Sequence, residues 1–314
     1  MRSTLVLALL SLAVACGGDS QKGSAAQREV SSAKTSTGFS GASAYDYAKA
    51  QVDFGPRVPG TPAAKKAGDW IINQMRTRAD TVIVQGFTYT TADGKKLQLR
   101  NILARFRPGL KERVLYVTHW DSRPISESAT TEAERKMPVP GANDGASGVG
   151  MFVALGDVLK KTKPTVGVDL LFTDGEDYGS FGPPEVDVLI GAKYFAKHLP
   201  SPDYKPLYGV LWDMIGDKDL RIPYEMISFQ RAPEVVARVW QTAADLGYSN
   251  IFVQESGGEV IDDHVPLLNA GLRVIDVIDL TYPPHHTPHD TMDKISAKSL
   301  AIVGDVATAL VTRP

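Results

Sequence analysis

The sequence predicts one α/β domain with a mixed, mostly parallel central sheet and helices on both faces. Short apolar, β-branched segments alternate with segments of helical period along most of the chain. A hairpin signal between two early strand segments predicts an antiparallel pair at one side of the sheet. The 314 residues, 43% of them hydrophobic, suffice for a large core, and no repeat or change in composition marks a second domain.

The beginning of the chain carries an export signal. Arg2 precedes an apolar run that ends in small residues, which predicts a signal peptide over residues 1–15. Cys16 directly follows the expected cleavage point, so it resembles the lipidated first residue of a bacterial lipoprotein. A cleaved form without lipid is the alternative. Because it is the only cysteine, no intramolecular disulfide can form. Residues 16–41 are polar without periodicity, which predicts a tether. We expect an exported protein, periplasmic or at the cell surface, folded over residues 42–314.

The first half of the folded part shows two helices, a hairpin, a strand and a third helix. A helix over 45–52 ends in a Gly/Pro-rich loop, and a second begins at Pro62 behind the cap residue Thr61. Strands over 81–90 and 101–106 flank the turn signal Asp93-Gly94. The first half ends with a strand over 114–118, a polar loop over 122–140 and a helix through 149–159.

The second half continues the alternation. The segment 166–172 is short, apolar and β-branched, as is typical of a central strand covered on both faces. Further strands are predicted over 208–212, 251–253 and 273–280. Helices are predicted over 188–199, 233–246, 262–268 and 298–312.

Acidic and histidine side chains follow these strands or stand at helix beginnings in six segments. In open α/β sheets the carboxyl ends of the strands form the ligand-binding edge, so we expect these side chains to converge. Imidazole and carboxylate without thiolate form a ligand set for zinc or a related divalent ion. The candidates are His119, Asp121, Asp144, Glu176, Asp177, Asp213, Asp262 and His286.

Several candidates have simpler explanations when each is taken alone. Asp144 lies in a Gly/Ala/Ser-rich turn before a helix, so it could cap that helix or bridge two metal ions. Asp213 could cap a turn, and the pair Glu176-Asp177 could be a solvated acidic turn after a strand. Asp121 lies two residues after His119 on the same side of an extended chain, where it could orient the histidine.

Together, the motifs resemble zinc-dependent exopeptidases of the bacterial di-zinc aminopeptidase type and their relatives, the animal-type glutaminyl cyclases. The resemblance covers about residues 45–313. The motifs are Gly-Pro-Arg-Val-Pro-Gly-Thr-Pro at 55–62, His-Trp-Asp-Ser at 119–122, Gly-Ala-Asn-Asp at 141–144, Asp-Gly-Glu-Asp at 174–177, Asp-Met-Ile-Gly at 213–216 and His-Thr-Pro-His-Asp-Thr at 286–291.

The resemblance implies a fold of the zinc exopeptidase type, which is phosphorylase/hydrolase-like, and one or two Zn²⁺ ions. It implies Glu176 as the general base and Asp121 as the residue that orients a metal-ligating histidine. The implied metal ligands are His119, Asp144, Asp177, Asp213 and His286.

The segment at 262–264 resembles the cyclase branch. Aminopeptidases of the family usually have Ser-Asp-His there, whereas this chain has Asp-Asp-His. In the cyclases an acid at the position of Asp262 hydrogen-bonds the glutamate base or the leaving group. The loop 123–140 and the insert after Asp177 also resemble the cyclases. Two departures are His285, where cyclases commonly carry Trp, and Asp177, where they commonly carry Glu.

These residues support three functions. The first is a glutaminyl-peptide cyclotransferase, which cyclises N-terminal Gln to pyroglutamate and releases ammonia, with Glu176 and Asp262 handling the proton. The second is a di-zinc aminopeptidase in which Glu176 deprotonates a water molecule. The third is a non-enzymatic periplasmic binding lipoprotein, which the complete ligand set disfavours.

The same residues and composition limit the expected partners. Peptide or protein N-termini would be the substrates of either enzyme. The net charge of -2 shows no basic excess for nucleic acid. Contact with a membrane would be made only through the N-terminal lipid, and we expect a monomer.

Overall fold

The computed structural model describes residues 37–313. The predicted signal peptide, Cys16 and the tether up to residue 36 lie outside these residues. The Thr37 hydroxyl donates to Asp305, and the ring of Phe39 lies against Gly304. The packed chain therefore includes residues 37–41, which the sequence assigns to the tether. Within the described part, no helix is long and apolar enough to cross a membrane.

Helices and strands alternate through the described residues as the sequence predicts. The strands are β1 (Thr81–Thr90), β2 (Lys96–Phe106), β3 (Arg113–His119), β4 (Gly167–Thr173), β5 (Tyr208–Asp213), β6 (Ile222–Tyr224), β7 (Phe252–Ser256) and β8 (Val274–Ile278). The helices are α1 (Gly41–Val52), α2 (Pro62–Arg76), α3 (Glu132–Arg135), α4 (Ala146–Lys161), α5 (Ile190–Lys197), α6 (Met226–Arg231), α7 (Pro233–Asp245), α8 (His264–Asn269) and α9 (Ala297–Thr312). A 3₁₀ helix spans Met292–Lys294.

The central sheet has six strands in the order β1-β2-β4-β3-β5-β8. The pairs β1/β2 and β2/β4 are antiparallel, and the pairs β4/β3, β3/β5 and β5/β8 are parallel. Strand β4 is buried along its whole length, as predicted for 166–172. Strands β6 and β7 form a separate two-stranded parallel sheet. The predicted mixed, mostly parallel sheet is confirmed.

Helices cover both faces of this sheet. In β3, Tyr116 faces the larger hydrophobic core, to which α4 and α9 contribute. Its neighbours Leu115 and Val117 face a second core with Phe195 of α5 and Leu267 of α8. Alternate side chains of a strand point to opposite faces, so a fully apolar strand such as β3 requires cover on both sides.

Local signals explain most of the boundaries, and a few predictions are wrong. The Thr61 side chain caps α2 by accepting from the backbone N–H of Ala64 at 3.2 Å. Helix α1 begins at Gly41 rather than 45 because Ser40 caps it. The loop 122–140 contains α3, which begins at a capping box formed by Thr131 and Glu134. Strand β6 and helix α6 were not predicted, because three and six residues are too few to show a period.

A buried ion-pair network joins three strands near the amino-terminal ends of β3 and β4. Asp169 of β4 accepts from Arg113 of β3 at 2.5 and 2.7 Å and from Arg105 of β2 at 3.0 Å. The Tyr204 hydroxyl donates to the same carboxylate at 2.9 Å. Breaking a buried pair from one side typically costs about 3–5 kcal/mol, so this network holds the strands in register.

Candidate active site

The ends of four neighbouring parallel strands bring the predicted residues to one edge of the sheet. His119 ends β3 and Asp213 ends β5, while Glu176 and Asp177 follow β4. The loop after β8 carries His286. Because these strands run in the same direction side by side, their carboxyl ends meet. A cleft of about 350 Å³ opens there, lined among others by Asp144, Glu176, Asp177, Asp213, Asp262 and His286.

Asp144 lies between the two candidate histidines. Its Oδ1 is 3.0 Å from His119 Nε2, and its Oδ2 is 3.6 Å from His286 Nε2. The residue that caps α4 is Gly145, at a φ of 87°, and no side chain caps the helix. Asp144 therefore does not cap α4, and its carboxylate faces both histidines; its bridging of two metal ions stays a prediction. Burial raises the pKa of Asp144, but the neighbouring histidines outweigh this and hold it well below its usual value.

His119 and Asp213 form one side of the group. His119 Nε2 is 3.1 Å from Asp213 Oδ1, which also accepts from the backbone N–H of Met214 at 2.9 Å. Asp213 therefore faces the histidine and also accepts from the backbone of the residue that follows it. Burial lowers the pKa of His119, but the carboxylates of Asp213, Asp121 and Asp144 prevail and raise it well above its usual value. A histidine so surrounded by carboxylates has the environment of a metal ligand or an imidazolium.

Asp121 holds the turn after β4 in place. Its two oxygens accept from the backbone N–H groups of Glu176 and Asp177, each at 3.1 Å. Its Oδ1 is 3.6 Å from His119 Nδ1, which has no hydrogen-bond partner among the described residues. The orienting role predicted for Asp121 remains a prediction, and its contacts with the backbone of residues 176 and 177 are an addition to it.

His286 forms the other side with Asp177. His286 Nε2 is 3.5 Å from Asp177 Oδ1. The backbone of His286 is left-handed, with a φ of 54°. Such a conformation costs a residue other than glycine about 1–2 kcal/mol and is found most often at functional sites. Burial and the nearby Asp144 raise the pKa of Asp177 to about 7, against the opposing effects of His286 and Arg123.

Glu176 and Asp262 are buried carboxyl groups in the same cleft. Glu176 Oε2 is 3.7 Å from His119 Nδ1. Burial raises the pKa of Glu176 well above its usual value, and His119 opposes this while Asp262 adds to it. Burial and then Asp213 raise the pKa of Asp262 in the same way. Carboxyl groups with raised pKa values suit a site that accepts and returns protons near neutral pH.

The donor set fits a divalent metal ion. Ligand atoms of His119, Asp144 and Asp213 lie within 4.8 Å of one another, and so do those of Asp144, His285 and His286. Within the described residues, Asp177 Oδ2 lacks a hydrogen-bond partner although it is buried. Buried carboxylates crowded in this way need a cation or protons to neutralise them. Histidine and carboxylate are ligands that zinc accepts.

Three residues lie beside these donors, and two of them, Arg123 and Glu127, were not predicted as part of the site. Arg123 donates to Asp177 Oδ1 at 2.6 Å, and Glu127 Oε1 lies 2.9 Å from His286 Nδ1. The His285 ring lies against the His286 ring, with centroids 3.7 Å apart and the planes tilted by 40°, and the His285 side chain is 36% exposed. The sequence signal for Arg123 and Glu127 is only a charged pair four residues apart, which is common at protein surfaces. Arg123 is buried while the Glu127 side chain is 39% exposed, and their contacts with the metal donors are a tertiary effect.

The sequence of this chain matches a known protein family. Residues 101–311 match the model of Peptidase family M28. The chain belongs to this family. Its relatives include the aminopeptidase YwaD of Bacillus subtilis, at 25% identity over 81% of the chain and 51% of the relative. This chain thus spans about half the length of that aminopeptidase.

Other relatives are named as cyclases. The glutaminyl-peptide cyclotransferase of Bos taurus is 25% identical over 78% of the chain and 74% of its own length. The crystal structure of Porphyromonas gingivalis glutaminyl cyclase superposes with a TM-score of 0.83 at 37% identity, covering 87% of this chain and 98% of that one. The family and the fold predicted from the sequence are therefore confirmed. Because the relatives include both activities, the reaction has to be inferred from the cleft.

Proposed function

We propose that this M28 protein is a zinc-dependent glutaminyl-peptide cyclotransferase, acting on the N-terminal Gln of peptides. The observation that carries the proposal is the buried carboxyl group of Asp262. It is 3% exposed, lines the cleft with Glu176 and raises the pKa of that residue. At this position the resembling aminopeptidases usually carry Ser. A second buried acid beside the base suits a reaction that moves a proton between two nitrogen atoms of the substrate.

The proposed reaction forms one bond and breaks another without water. The α-amine nitrogen of the substrate forms a bond to the γ-carboxamide carbon, and the bond from that carbon to its amide nitrogen breaks. Glu176 accepts a proton from the amine and returns it to the departing ammonia, while Asp262 shares or steers that proton. Zinc held by Asp144, Asp177 and His286 would polarise the carboxamide carbonyl.

The cleft has the size and lining for a peptide terminus. Its volume of about 350 Å³ lies near the lower end of the range of about 300–1,000 Å³ for small-molecule sites. Phe181, Ile261 and Leu280 supply apolar walls above the acidic residues. Apolar walls with a few convergent polar groups are typical of sites that bind one side chain and orient it.

A second candidate function is a di-zinc aminopeptidase. The observation that favours it is the complete group of His119, Asp144 and Asp213, in addition to the donors near His286. In that reaction Glu176 would accept a proton from water, which attacks the peptide carbonyl. The two functions differ in the need for water, since cyclisation uses only the amine of the substrate.

Incubation with two matched peptides distinguishes the two functions. We expect a Gln-initiated peptide to become lighter by one ammonia, and an otherwise identical Leu-initiated peptide to remain intact. Mass spectrometry of both products over time is the measurement, with the zinc-loaded full chain. Free leucine from the second peptide, together with free glutamine from the first, would contradict the cyclase and support the aminopeptidase.

Replacement of Asp262 tests the residue on which the proposal rests. We expect Asp262→Asn to lower kcat for cyclisation by about 10²-fold, with a smaller change in KM, because the amide cannot share the proton. Glu255→Gln on β7 is the control, since the Glu255 side chain is 63% exposed and pairs with Arg221. A kcat of Asp262→Asn within twofold of wild type would exclude Asp262 from the proton transfer.

A further inference from the structure

The loop at residues 122–140 crosses the site between two of the candidate metal donors. Asp177 follows β4, and His286 follows β8, so the two donors come from strands that are not neighbours in the sheet. Arg123 and Glu127, both in the loop after β3, lie against them. These four side chains form a continuous chain of contacts, which we call the loop brace: Asp177, Arg123, Glu127 and His286.

Arg123 occupies the centre of the loop brace. Its side chain is 5% exposed. Its Nη1 donates to Asp177 Oδ1 at 2.6 Å and to the backbone carbonyl of Asp177 at 3.3 Å. Its Nε and Nη2 approach the two oxygens of Glu127, each at 2.7 Å. A guanidinium holds two carboxylates in a defined plane through such paired contacts, which a lysine could not reproduce.

Glu127 connects this pair to the histidine. Its Oε1 lies 2.9 Å from His286 Nδ1, so the Nδ1–H group donates to Glu127 and Nε2 is left facing Asp144 and Asp177. The backbone of the loop adds a further contact, because the N–H of Ser128 donates to the carbonyl of His286 at 3.2 Å. Metal-binding histidines usually donate their second N–H to a carboxylate or carbonyl in this way.

The loop itself is attached to the rest of the site. The N–H of Val139 donates to the carbonyl of Arg123 at 3.0 Å, which closes the loop at its two ends. The Arg123 guanidinium also lies 5.7 Å from the centroid of the Phe181 ring, on the wall of the cleft. The brace thus links both donors to one buried guanidinium and, through Phe181, to the surface that would contact substrate.

We infer that Arg123 and Glu127 are positioning residues that hold Asp177 and His286 in the geometry for binding one zinc ion. Without Glu127, the His286 ring loses the acceptor of its Nδ1–H group. The ring can then rotate so that Nε2 no longer faces Asp144 and Asp177. Without Arg123, Asp177 loses its restraint, and Glu127, whose side chain is 39% exposed, loses its cationic partner. The inference deepens the proposed function and rests on the zinc site that the function requires, but it holds whichever nucleophile the enzyme uses.

Zinc affinity of the metal-free chain, measured by competition with a chromophoric chelator, tests the brace. We expect Glu127→Ala to weaken zinc binding about 10- to 100-fold, as loss of a carboxylate behind a metal-binding histidine does. Glu127→Gln should weaken it less, because the amide oxygen still accepts from Nδ1–H. The visible spectrum of the Co²⁺ form should change in Glu127→Ala, since the geometry of the ligands changes. A purely structural role would leave that spectrum unchanged.

Glu132→Gln is the matched control from the same loop. The Glu132 side chain is 84% exposed and forms an ion pair with Lys136. We expect its zinc affinity and Co²⁺ spectrum to match wild type. Thermal unfolding of each metal-free variant shows whether it is folded. If Glu127→Ala does not fold, Glu127→Gln and Arg123→Lys replace it, and weaker zinc binding by both supports the brace.

Two outcomes would overturn the inference. One is a zinc affinity within twofold of wild type, with an unchanged Co²⁺ spectrum, for folded Glu127→Ala or for both replacement variants. The other is a wild-type chain that binds no zinc. Release of leucine from the Leu-initiated peptide would instead contradict only the proposed cyclase. The two failures are distinguishable because the zinc measurement uses no substrate.

Discussion

Glu176→Gln is expected to lower kcat for cyclisation by about 10²–10⁴-fold while zinc binding stays at the wild-type level. Glu176 is buried in the cleft, and burial raises its pKa well above the usual value for a glutamate. Glutamine keeps the shape but cannot accept and return a proton. The measurement is the initial rate of ammonia release from a Gln-initiated peptide, with zinc content determined on the same sample.

The zinc content is the internal control for this variant. Glu176 is not among the residues proposed to hold zinc, so a loss of activity with full zinc content assigns the loss to the proton transfer. A variant with a rate within tenfold of wild type would show that another group is the base. Asp262, the other buried carboxyl group proposed for proton transfer, would then be the residue to replace next.

Asp144→Asn is expected to abolish stoichiometric zinc binding and to reduce kcat/KM by more than about 10³-fold. Asp144 directs one oxygen to His119 and the other to His286, so it is the donor shared by both sides of the site. Asparagine offers one neutral oxygen in place of two charged ones. A bound metal supplies several kcal/mol of charge stabilisation in such reactions, which corresponds to a rate factor of this size.

Metal analysis after dialysis, followed by assay with zinc restored, checks this expectation. Circular dichroism of the variant distinguishes loss of metal from loss of fold. Full zinc content in Asp144→Asn would contradict the central role of this residue. Zinc-restored activity near wild type would contradict it as well.

Much of the fold and the candidate site could be predicted because the signals are local. The fully apolar segment 166–172 predicted a central strand, and β4 is buried along its length. Polar residues at the ends of such strands predicted convergence, since parallel strands end at one edge. Each candidate, including Glu176 and Asp262, lies at or beside that edge. The short elements β6 and α6 escaped prediction because so few residues carry no period.

The sequence by itself determined the family, the sheet and the types of side chain at the carboxyl ends of its parallel strands. These follow from periodicity and from motifs, which are properties of neighbours along the chain. Only the tertiary structure decided that Asp144 faces two histidines rather than capping α4, and that Asp121 holds the turn at residues 176 and 177. It alone showed Arg123 in contact with Asp177 and Glu127 in contact with His286. The physical reason is that burial and partner choice depend on packing between distant segments, and a charged pair in a polar loop has the same pattern whether it is solvated or buried.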